Sequence, residues 1–304
     1  MLVECDRQVW LITGGSGQVG GALVASPPPG VRVIAPGRDR FDLGDPTLNL
    51  SSLLATEGIT AIVNCGAYTK VDQAEDEEAL ALQVNGLTPG QLAHAARNAD
   101  IPIVQISTDY VFSGERPGFY SEDDPTGPRS AYGRTKLAGE QAVIASGARY
   151  GILRTAWVFS AEGANFVRTM VRLCSERDTL GVVADQLGCP THAGDLAQVV
   201  ARITQALEGR EVSSGIWHVV NGGEASWHDL AAHVIARTSM HGRRVPTLNR
   251  LTTAEYPTKA PRPANSRLAT KKLRADFGIV LRDWQEAAAA VVDAIIAQEE
   301  RFSA

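Results

Sequence analysis

The sequence predicts an α/β fold: a doubly wound parallel sheet followed by a smaller, mixed C-terminal domain. Short apolar runs rich in β-forming residues alternate with helical segments along the first half of the chain. A glycine-rich turn joins the first run to the first helix, and the alternation becomes irregular after Phe159. Because strands that alternate with helices form parallel sheets covered on both faces, the first half should be one such sheet with right-handed crossovers.

The predicted strands share β-branched and apolar residues bounded by glycine, proline or polar residues. They are residues 8–13, 31–37, 59–66, 101–108, 149–159 and 215–221.

The predicted helices follow or separate these runs, and three prolines end the first helix, because proline cannot continue a helix. They are residues 21–26, 50–58, 76–100 with an interruption near Pro89, 132–146, 164–177, 193–207, 226–237 and 283–300. Ser226 and Asp229 form a capping signal at one helix start. The proline-rich stretch 250–268 predicts a loop.

Composition narrows the class of protein. The chain has 304 residues, 44% of them hydrophobic, which is enough for a large core and about two domains. Its formal net charge of -5 is not the excess of positive charge expected of a protein that binds nucleic acid or an anionic membrane. The four cysteines show no CxxC spacing, so we expect neither zinc nor disulfides. With no apolar run of signal-peptide or membrane-spanning length, we expect a soluble cytoplasmic protein.

The segment "TGGSGQVG" (residues 13–20) follows the first strand and leads into the first helix. Its Gly14, Gly17 and Gly20 have the spacing of a dinucleotide-binding turn. A side chain at these positions would block the tight turn or the approach of a pyrophosphate, and the helix N-terminus offers free N–H groups to phosphates. The sequence therefore predicts a Rossmann-type domain that binds a dinucleotide.

The end of the second strand bears on the choice of dinucleotide. Sites that prefer NAD usually place an acid there to hold the ribose hydroxyls. Here Gly37 and Arg38 occupy that place, and a guanidinium suits a 2′-phosphate. We therefore expect NADPH as the preferred cofactor, with NADH as the alternative. The other interpretation of Arg38 is a solvated loop residue. Asp42 and Leu43 follow and are candidates for contact with the adenine.

The candidate catalytic residues lie on two neighbouring segments. Thr108 ends a strand in "STDYVF", and ligands bind beyond such ends in open α/β sheets. Tyr132 and Lys136 are four apart in "SAYGRTK", so they share one helix face. A lysine cation favours the phenolate and lowers the tyrosine pKa. This set is suited to hydride transfer with protonation of the resulting alkoxide.

These motifs in this order resemble the extended short-chain dehydrogenase/reductases that act on nucleotide sugars. The resemblance covers nearly the whole chain and narrows to the dTDP-4-dehydrorhamnose reductases. The segments that carry it are "VNCGAYTKVDQAE" (63–75), "STDYVFSG" (107–114), "RTAWVF" (154–159), "DQLGCPT" (185–191) and "RPANSRL" (262–268). One departure is Cys189, which stands where the family commonly has a small alanine.

The resemblance implies the last step of dTDP-L-rhamnose synthesis, in which NADPH reduces the C4 keto group of dTDP-4-dehydro-L-rhamnose. Tyr132 would protonate the oxygen, and Lys136 would bind the nicotinamide ribose and depress the Tyr132 pKa. Thr108, Asp109 and Trp157 would contact the sugar. The implied cofactor-binding residues are Gly14, Gly17, Gln18, Val19, Gly20, Arg38, Asp42, Leu43, Ala67, Tyr68, Thr69, Tyr132 and Lys136.

Three further residues are candidates for binding the thymidine diphosphate. An amide can pair with thymine edges and a guanidinium with phosphate, which selects Asn165, Gln186 and Arg262. Each of them could equally be structural. The six histidines are scattered without an H-E-x-x-H motif, so we expect no metal. The sequence leaves open whether the protein is a monomer or a homodimer.

Rival functions remain on the same scaffold. The related dehydratases carry a glutamate after the aspartate, whereas Tyr110 follows Asp109 here. The related epimerases usually have an asparagine where Trp157 stands. Both observations favour simple reduction over another nucleotide-sugar enzyme. A non-catalytic, NADP-binding regulatory subunit would not need the retained Tyr132 and Lys136.

The domain organisation follows from the same patterns. Residues 1–160 should form the NADP-binding Rossmann domain, and the chain should return to it around 193–222. Residues 161–304 should form mainly the substrate-binding domain.

Overall fold

The computed structural model describes residues 8–48 and 50–303. Its strands are β1 (Gln8–Thr13), β2 (Val31–Ile34), β3 (Ala61–Asn64), β4 (Ile103–Thr108), β5 (Tyr150–Thr155), β6 (Val158–Phe159), β7 (Thr179–Val183), β8 (Leu187–Gly188), β9 (Thr191–His192), β10 (Gly215–His218), β11 (Ala225–Ser226), β12 (Thr247–Leu251) and β13 (Asn265–Ser266). Its α-helices are α1 (Gln18–Ala25), α2 (Leu50–Glu57), α3 (Glu78–Leu82), α4 (Thr88–Asn98), α5 (Ala131–Ala145), α6 (Phe166–Glu176), α7 (Ala193–Glu208), α8 (Trp227–Met240), α9 (Lys271–Phe277) and α10 (Trp284–Ser303).

The largest sheet has six strands in the order β10-β5-β4-β3-β1-β2. Strand β1 pairs in parallel with β2 on one side and with β3 on the other, and β3 pairs in parallel with β4. The chain therefore reverses its direction of travel across the sheet between β1 and β3. In a doubly wound sheet, the crevice at the carboxyl ends of the strands on either side of this reversal is where ligands bind. The predicted fold class is confirmed.

The chain divides into two compact units. The first comprises the residues up to Ser113, Pro125–Arg154 and Leu196–Trp217, and the second comprises Gly114–Asp124, Thr155–Asp195 and the residues from His218 onward. The core of the first unit is built from strand and helix side chains that are almost completely buried, among them Leu11, Ile62, Leu92, Ile103 and Ile152. Burying one such side chain contributes about 1.5–3 kcal/mol.

The second unit has smaller sheets, ordered β11-β8-β13, β12-β7 and β6-β9. Its core packs α6, α8 and α10 around buried apolar residues such as Val171, Val234 and Val292. The predicted capping signal is confirmed: Ser226 accepts a hydrogen bond from the Asp229 amide at 3.0 Å, and the Asp229 carboxylate accepts from the Ser226 amide at 3.0 Å.

Two segments lie in a different unit from the one the sequence predicts. Residues 155–160 and 114–124 were expected in the first domain, but the structure places them in the second unit. The reason is long-range pairing: Tyr120 donates its amide hydrogen to the Arg267 carbonyl at 2.8 Å, and the Asn265 amide donates to the Gly114 carbonyl at 3.0 Å. Such partners, about 150 residues apart, leave no local signal in the sequence.

The predicted strand 149–159 is wrong as a single element. It consists of β5 and β6, separated at Trp157, whose φ of 49° is incompatible with an extended strand. The predicted loop 250–268 overlaps the short strands β12 and β13. The expected interruption near Pro89 is a π-helical turn over Gln83–Leu87, directly before α4.

None of the helices in the described ranges is long and apolar enough to cross a membrane. Cys65, Cys174 and Cys189 are free thiols, and Cys5 lies outside the described residues.

Candidate active site

The glycine loop after β1 is closed by backbone contacts that leave no room for side chains. Gly14 has a φ of 66°, and a Cβ there would lie 2.6 Å from the Gly66 Cα. A Cβ on Gly20 would lie 2.3 Å from the Gly14 carbonyl oxygen. Gly17 directly precedes α1 and provides no side-chain cap for it. This loop fits the pyrophosphate of a dinucleotide.

Three buried polar side chains connect the carboxyl ends of β1 and β3 with the middle of β4. Thr13 donates a short hydrogen bond to the Asn64 side-chain oxygen, and Asn64 donates to Gln105 at 2.6 Å. The Gly66 amide donates to the Thr13 hydroxyl at 3.2 Å. Asn64 and Gln105 were not predicted from the sequence, although a polar residue inside an apolar strand is a signal that could have found them.

The segment after β2 also lies against the glycine loop. A Cβ on Gly15 would lie 2.7 Å from the Ala35 Cβ, and Leu43 packs on Gly66, where a Cβ would lie 2.4 Å from its Cδ1. Asp42 is exposed and accepts a hydrogen bond from the Gly44 amide at 2.9 Å. Arg38 is exposed, and within the described part of the chain it has no ion-pair partner. A guanidinium in this state is available to a phosphate.

The loop after β3 is fixed by the π-helical turn. The Tyr68 amide donates to the Asn85 side chain at 2.8 Å, and the Asn85 amide donates to the Tyr68 carbonyl at 3.1 Å and to the Thr135 hydroxyl at 3.2 Å. This buried asparagine joins the loop that carries Ala67, Tyr68 and Thr69 to the helix that carries Tyr132 and Lys136. Its role was not predicted from the sequence.

The structure brings the predicted catalytic residues together at the end of β4. Helix α5 begins after Ser130, whose hydroxyl accepts the Gly133 amide hydrogen at 3.1 Å. A Cβ on Gly133 would lie 2.3 Å from the Tyr110 carbonyl oxygen, so this glycine lets α5 approach the turn at Asp109–Val111. The rings of Tyr110 and Tyr132 meet edge to face at 5.4 Å.

Burial is the main influence on the protonation of Tyr132. Burial raises the pKa of Tyr132 above its ordinary value, the hydrogen bond with Thr108 acts in the opposite direction, and the charges of Asp109 and Tyr110 raise it again. Lys136 is not among the groups that shift this pKa, so the expected effect of its charge on Tyr132 stays a prediction. The Lys136 ammonium instead donates to the Ile106 carbonyl at 2.6 Å. Tyr132 therefore keeps its proton at neutral pH.

Lys136 is itself perturbed by its surroundings. Burial lowers the pKa of its ammonium to about 8, while the charge of Glu140, four residues further along α5, raises it. Glu140 is buried and pairs with Arg154. Glu140 was not predicted from the sequence, although its spacing continues the Tyr132–Lys136 face of the helix.

In the second unit, Trp157 lies against two neighbours. Its indole stacks on that of Trp227 at 3.6 Å with an angle of 11° between the planes. A Cβ on Gly188 would lie 2.5 Å from its Cε2 atom, so only glycine leaves space for this ring. The side chain is half-buried, and its positive φ is a strained backbone of the kind found at functional sites.

The three candidate diphosphate ligands have different surroundings. Asn165 caps α6 by accepting the Arg168 amide hydrogen at 3.1 Å, and its own amide donates to the Ser160 carbonyl at 2.9 Å. This favours the structural alternative for Asn165. Gln186 is buried and donates to the Thr253 hydroxyl at 3.1 Å. Gln186 directly precedes β8 and the half-buried Arg262 precedes β13, and these strands pair in parallel.

No group of three or more potential ligands in the described residues could hold a metal ion. The doubly wound sheet, the glycine loop at its point of reversal, and a tyrosine and lysine beside a threonine define a nicotinamide-dependent oxidoreductase of the short-chain dehydrogenase/reductase type.

A comparison with known proteins gives the family. A family model described as the RmlD substrate binding domain matches residues 8–296. The dTDP-4-dehydrorhamnose reductase of Sinorhizobium fredii is 42% identical over 288 residues, which are 94% of this chain and 97% of that protein. The chain belongs to the dTDP-4-dehydrorhamnose reductase family, and it is an oxidoreductase.

Two other relatives bear on the cofactor and the sugar. One is dTDP-4-dehydrorhamnose reductase from Bacillus anthracis, whose crystal structure was solved in complex with NADP. It is 32% identical to this chain, and the two structures match with a TM-score of 0.88 over 95% of this chain and 99% of that chain. A probable dTDP-4,6-dihydroxy-2-methyloxan-3-one 4-ketoreductase of Streptomyces antibioticus is 41% identical over 294 residues, which are 95% of this chain and 96% of that protein.

Proposed function

We propose that this protein reduces the C4 keto group of dTDP-4-dehydro-L-rhamnose to give dTDP-L-rhamnose, with NADPH as the preferred cofactor. The observation that carries the proposal is the cluster of Thr108, Tyr132 and Lys136 at the end of β4. In the sheet, one strand separates β4 from β1, the strand that leads into the glycine loop. The family relationship supplies the sugar nucleotide. The exposed Arg38 guanidinium supports NADPH over NADH.

When bound, NADPH supplies the hydride that reduces the sugar carbonyl. Tyr132 then donates its phenol proton to the oxygen as negative charge develops on it. Its raised pKa means that the proton is present at neutral pH. Thr108 hydrogen-bonds the same hydroxyl and orients it, and the Lys136 cation stabilises the phenolate that the transfer leaves. A positioned proton donor of this kind contributes about 10²–10⁴-fold to the rate.

The second unit supplies candidates for recognition of the nucleotide sugar. We propose that Trp157 contacts the sugar ring together with Asp109, and that Arg262 and Gln186 bind the diphosphate or the thymine. Their placement shortly before two paired strands supports a common role. We infer a cytoplasmic enzyme that acts as a monomer or homodimer.

A second candidate substrate has its own support. The Streptomyces antibioticus relative is named as a 4-ketoreductase of a different dTDP-linked sugar, at nearly the same identity as the Sinorhizobium fredii relative. Both reactions deliver hydride and a proton to a C4 carbonyl, so the same catalytic residues serve either of them.

The test follows the loss of NADPH absorbance with dTDP-4-dehydro-L-rhamnose, made in place from dTDP-glucose by a dehydratase and an epimerase. Turnover that yields dTDP-L-rhamnose and requires both added enzymes would support the proposal. Turnover without the epimerase would assign the enzyme to another keto sugar. No turnover with intact NADPH binding would contradict the proposal and favour a regulatory subunit.

A further inference from the structure

Three consecutive residues at the end of β4 contact three positions on α5. The Ile106 carbonyl accepts the Lys136 ammonium at 2.6 Å, and the Ser107 hydroxyl donates to Glu140 Oε1 at 2.5 Å. The Thr108 side chain acts on the Tyr132 hydroxyl and lowers its pKa. Tyr132, Lys136 and Glu140 are spaced by four residues, so they lie along one face of the helix. Glu140 therefore belongs to the same strand–helix contact as the catalytic pair, although the proposed chemistry does not use it.

The carboxylate of Glu140 is held by donors on several sides. Its side chain is 2% exposed, and that of Arg154 on β5 is 4% exposed. Arg154 donates from Nε to Oε1 at 3.0 Å and from Nη2 to Oε2 at 2.7 Å. The guanidinium also lies over the Phe112 ring, 5.0 Å from its centre. These donors hold both oxygens of the carboxylate in place.

Two other titratable groups near Lys136, Cys65 and Tyr132, are uncharged near neutral pH. Cys65, at the end of β3, has a pKa raised to about 12 by burial, so its thiol is protonated. Tyr132, on the same helix, is also neutral, because burial raises its pKa. Asp109 is ionisable, and its charge acts on Tyr132. The charge of Glu140 is the larger of the two that oppose the effect of burial on Lys136, and Cys65 gives the smaller one. Arg154, on β5, pairs with the Glu140 carboxylate.

We propose that Glu140 is a positioning residue of this active site: its buried carboxylate, fixed by Ser107 and Arg154, supplies the negative charge that keeps the Lys136 ammonium protonated. Burial alone removes water from this cation and favours its neutral form. A neutral amine would neither stabilise a phenolate nor hold its place as a fixed cation. The inference rests on the proposed role of Lys136, and the first measurement below needs neither cofactor nor sugar.

The test measures the protonation of Lys136 directly. The chain contains five lysines, so protein labelled with ¹³C-lysine gives a small set of Cε signals, and the one lost in Lys136→Met identifies Lys136. In Glu140→Gln the titration midpoint of this signal should fall by about one pH unit, because a nearby carboxylate shifts a pKa by that order. The alkaline limb of the pH–rate profile should move in the same direction, with activity about fivefold below that of the wild type at a pH one unit above the new midpoint. A role confined to stability would lower the melting temperature and leave the midpoint in place.

The matched control is Glu78→Gln. Glu78 also pairs with an arginine of α5, Arg134, at 2.9 Å, but both side chains are exposed. This variant should leave the Lys136 midpoint unchanged. If Glu140→Gln does not fold because the buried Arg154 loses its carboxylate, the double variant Glu140→Gln/Arg154→Met removes both charges. It should still lower the midpoint, because Glu140 and not Arg154 acts on the Lys136 pKa. A midpoint equal to that of the wild type in a folded variant would overturn the proposal.

Discussion

Gly14 and Gly66 meet backbone to backbone where the loops after β1 and β3 cross. A Cβ on Gly14 would lie 2.6 Å from both the Gly66 Cα and the Gly66 nitrogen. The contact joins the two strands at which the sheet reverses its order, and so it shapes the crevice expected to hold the dinucleotide. The glycine at position 14 is needed for space as well as for its positive φ.

Gly14→Ala tests this double requirement. We expect it to abolish measurable NADPH binding and to lower the free energy of unfolding by more than the cost of the positive φ alone. Gly30→Ala is the matched control, since Gly30 has a φ of 80° and a Cβ there would have no atom within 4 Å. The control should lose only about 1–2 kcal/mol. Equal losses of stability and unchanged cofactor affinity in the two variants, measured by urea unfolding and NADPH fluorescence, would show that the contact with Gly66 is unimportant.

Tyr132→Phe removes the proposed proton donor and little else. The ring still packs edge to face on Tyr110, so the fold should persist. We expect kcat to fall by about 10²–10⁴-fold while the dissociation constant of NADPH changes less than twofold. Steady-state rates and a cofactor titration on the same sample check both parts. Near-normal turnover would refute the role of the phenol.

Arg38→Ala tests the choice of cofactor. The guanidinium is exposed, and a charge-assisted bidentate contact with the 2′-phosphate would be lost on substitution. We expect NADPH to bind at least tenfold more weakly, with little change for NADH and no change in melting temperature. Arg40→Ala, two residues along the same exposed segment, is the control. Equal losses for both cofactors would mean that Arg38 does not bind the phosphate.

The parts of the site that the sequence predicts are those encoded locally. Strand β1 and the start of α5 follow from short patterns, because an apolar run or a Ser130 cap determines the backbone of its own neighbourhood. The spacing of Tyr132 and Lys136 likewise places both on one helix face before any tertiary contact is known. These features required no knowledge of the rest of the chain.

What the sequence could not predict depends on distant partners. Whether Lys136 lowers the Tyr132 pKa depends on where its ammonium points, and the Ile106 carbonyl, 30 positions away, decides that. Asn165 has the chemistry of a ligand, but its amide is used to cap α6. Residues 114–124 follow the Rossmann strands in the chain and yet pair with residues near 265. The residue type alone does not show whether a side chain binds a ligand or supports the fold.

Gly188→Ala tests the placement of Trp157. The added Cβ would lie 2.5 Å from the indole, and Trp227 stacks on the same ring at 3.6 Å, so the indole must move or lose its stacking. We expect a changed near-ultraviolet circular dichroism spectrum and a KM for the sugar nucleotide raised about tenfold, with the NADPH affinity unchanged. Gly127→Ala, whose Cβ would meet only the Ser113 Cβ at 3.8 Å, should change none of these. An unchanged KM alongside an altered spectrum would argue against contact between Trp157 and the sugar.

Asp195 anchors a polar network whose stability should depend on pH. Burial opposes ionisation of this carboxyl, but hydrogen bonds with His192, Arg282 and Asn221 more than offset that effect and hold its pKa well below the ordinary value. The Asn221 and Arg282 Nε donors lie 2.7 and 2.8 Å from Asp195 Oδ2.

A carboxyl with a lowered folded-state pKa stabilises the protein above its unfolded-state pKa, near 4, and this contribution is lost as the pH falls towards the folded-state value. Asp195→Asn should therefore lose about 3 kcal/mol at pH 7, because its donors no longer bind a carboxylate, and distinctly less at pH 3. Urea unfolding at both pH values measures this difference, and the exposed Asp123→Asn should show no loss at either. A deficit for Asp195→Asn that is the same at pH 3 and pH 7 would show that the charge of Asp195 contributes nothing to folding.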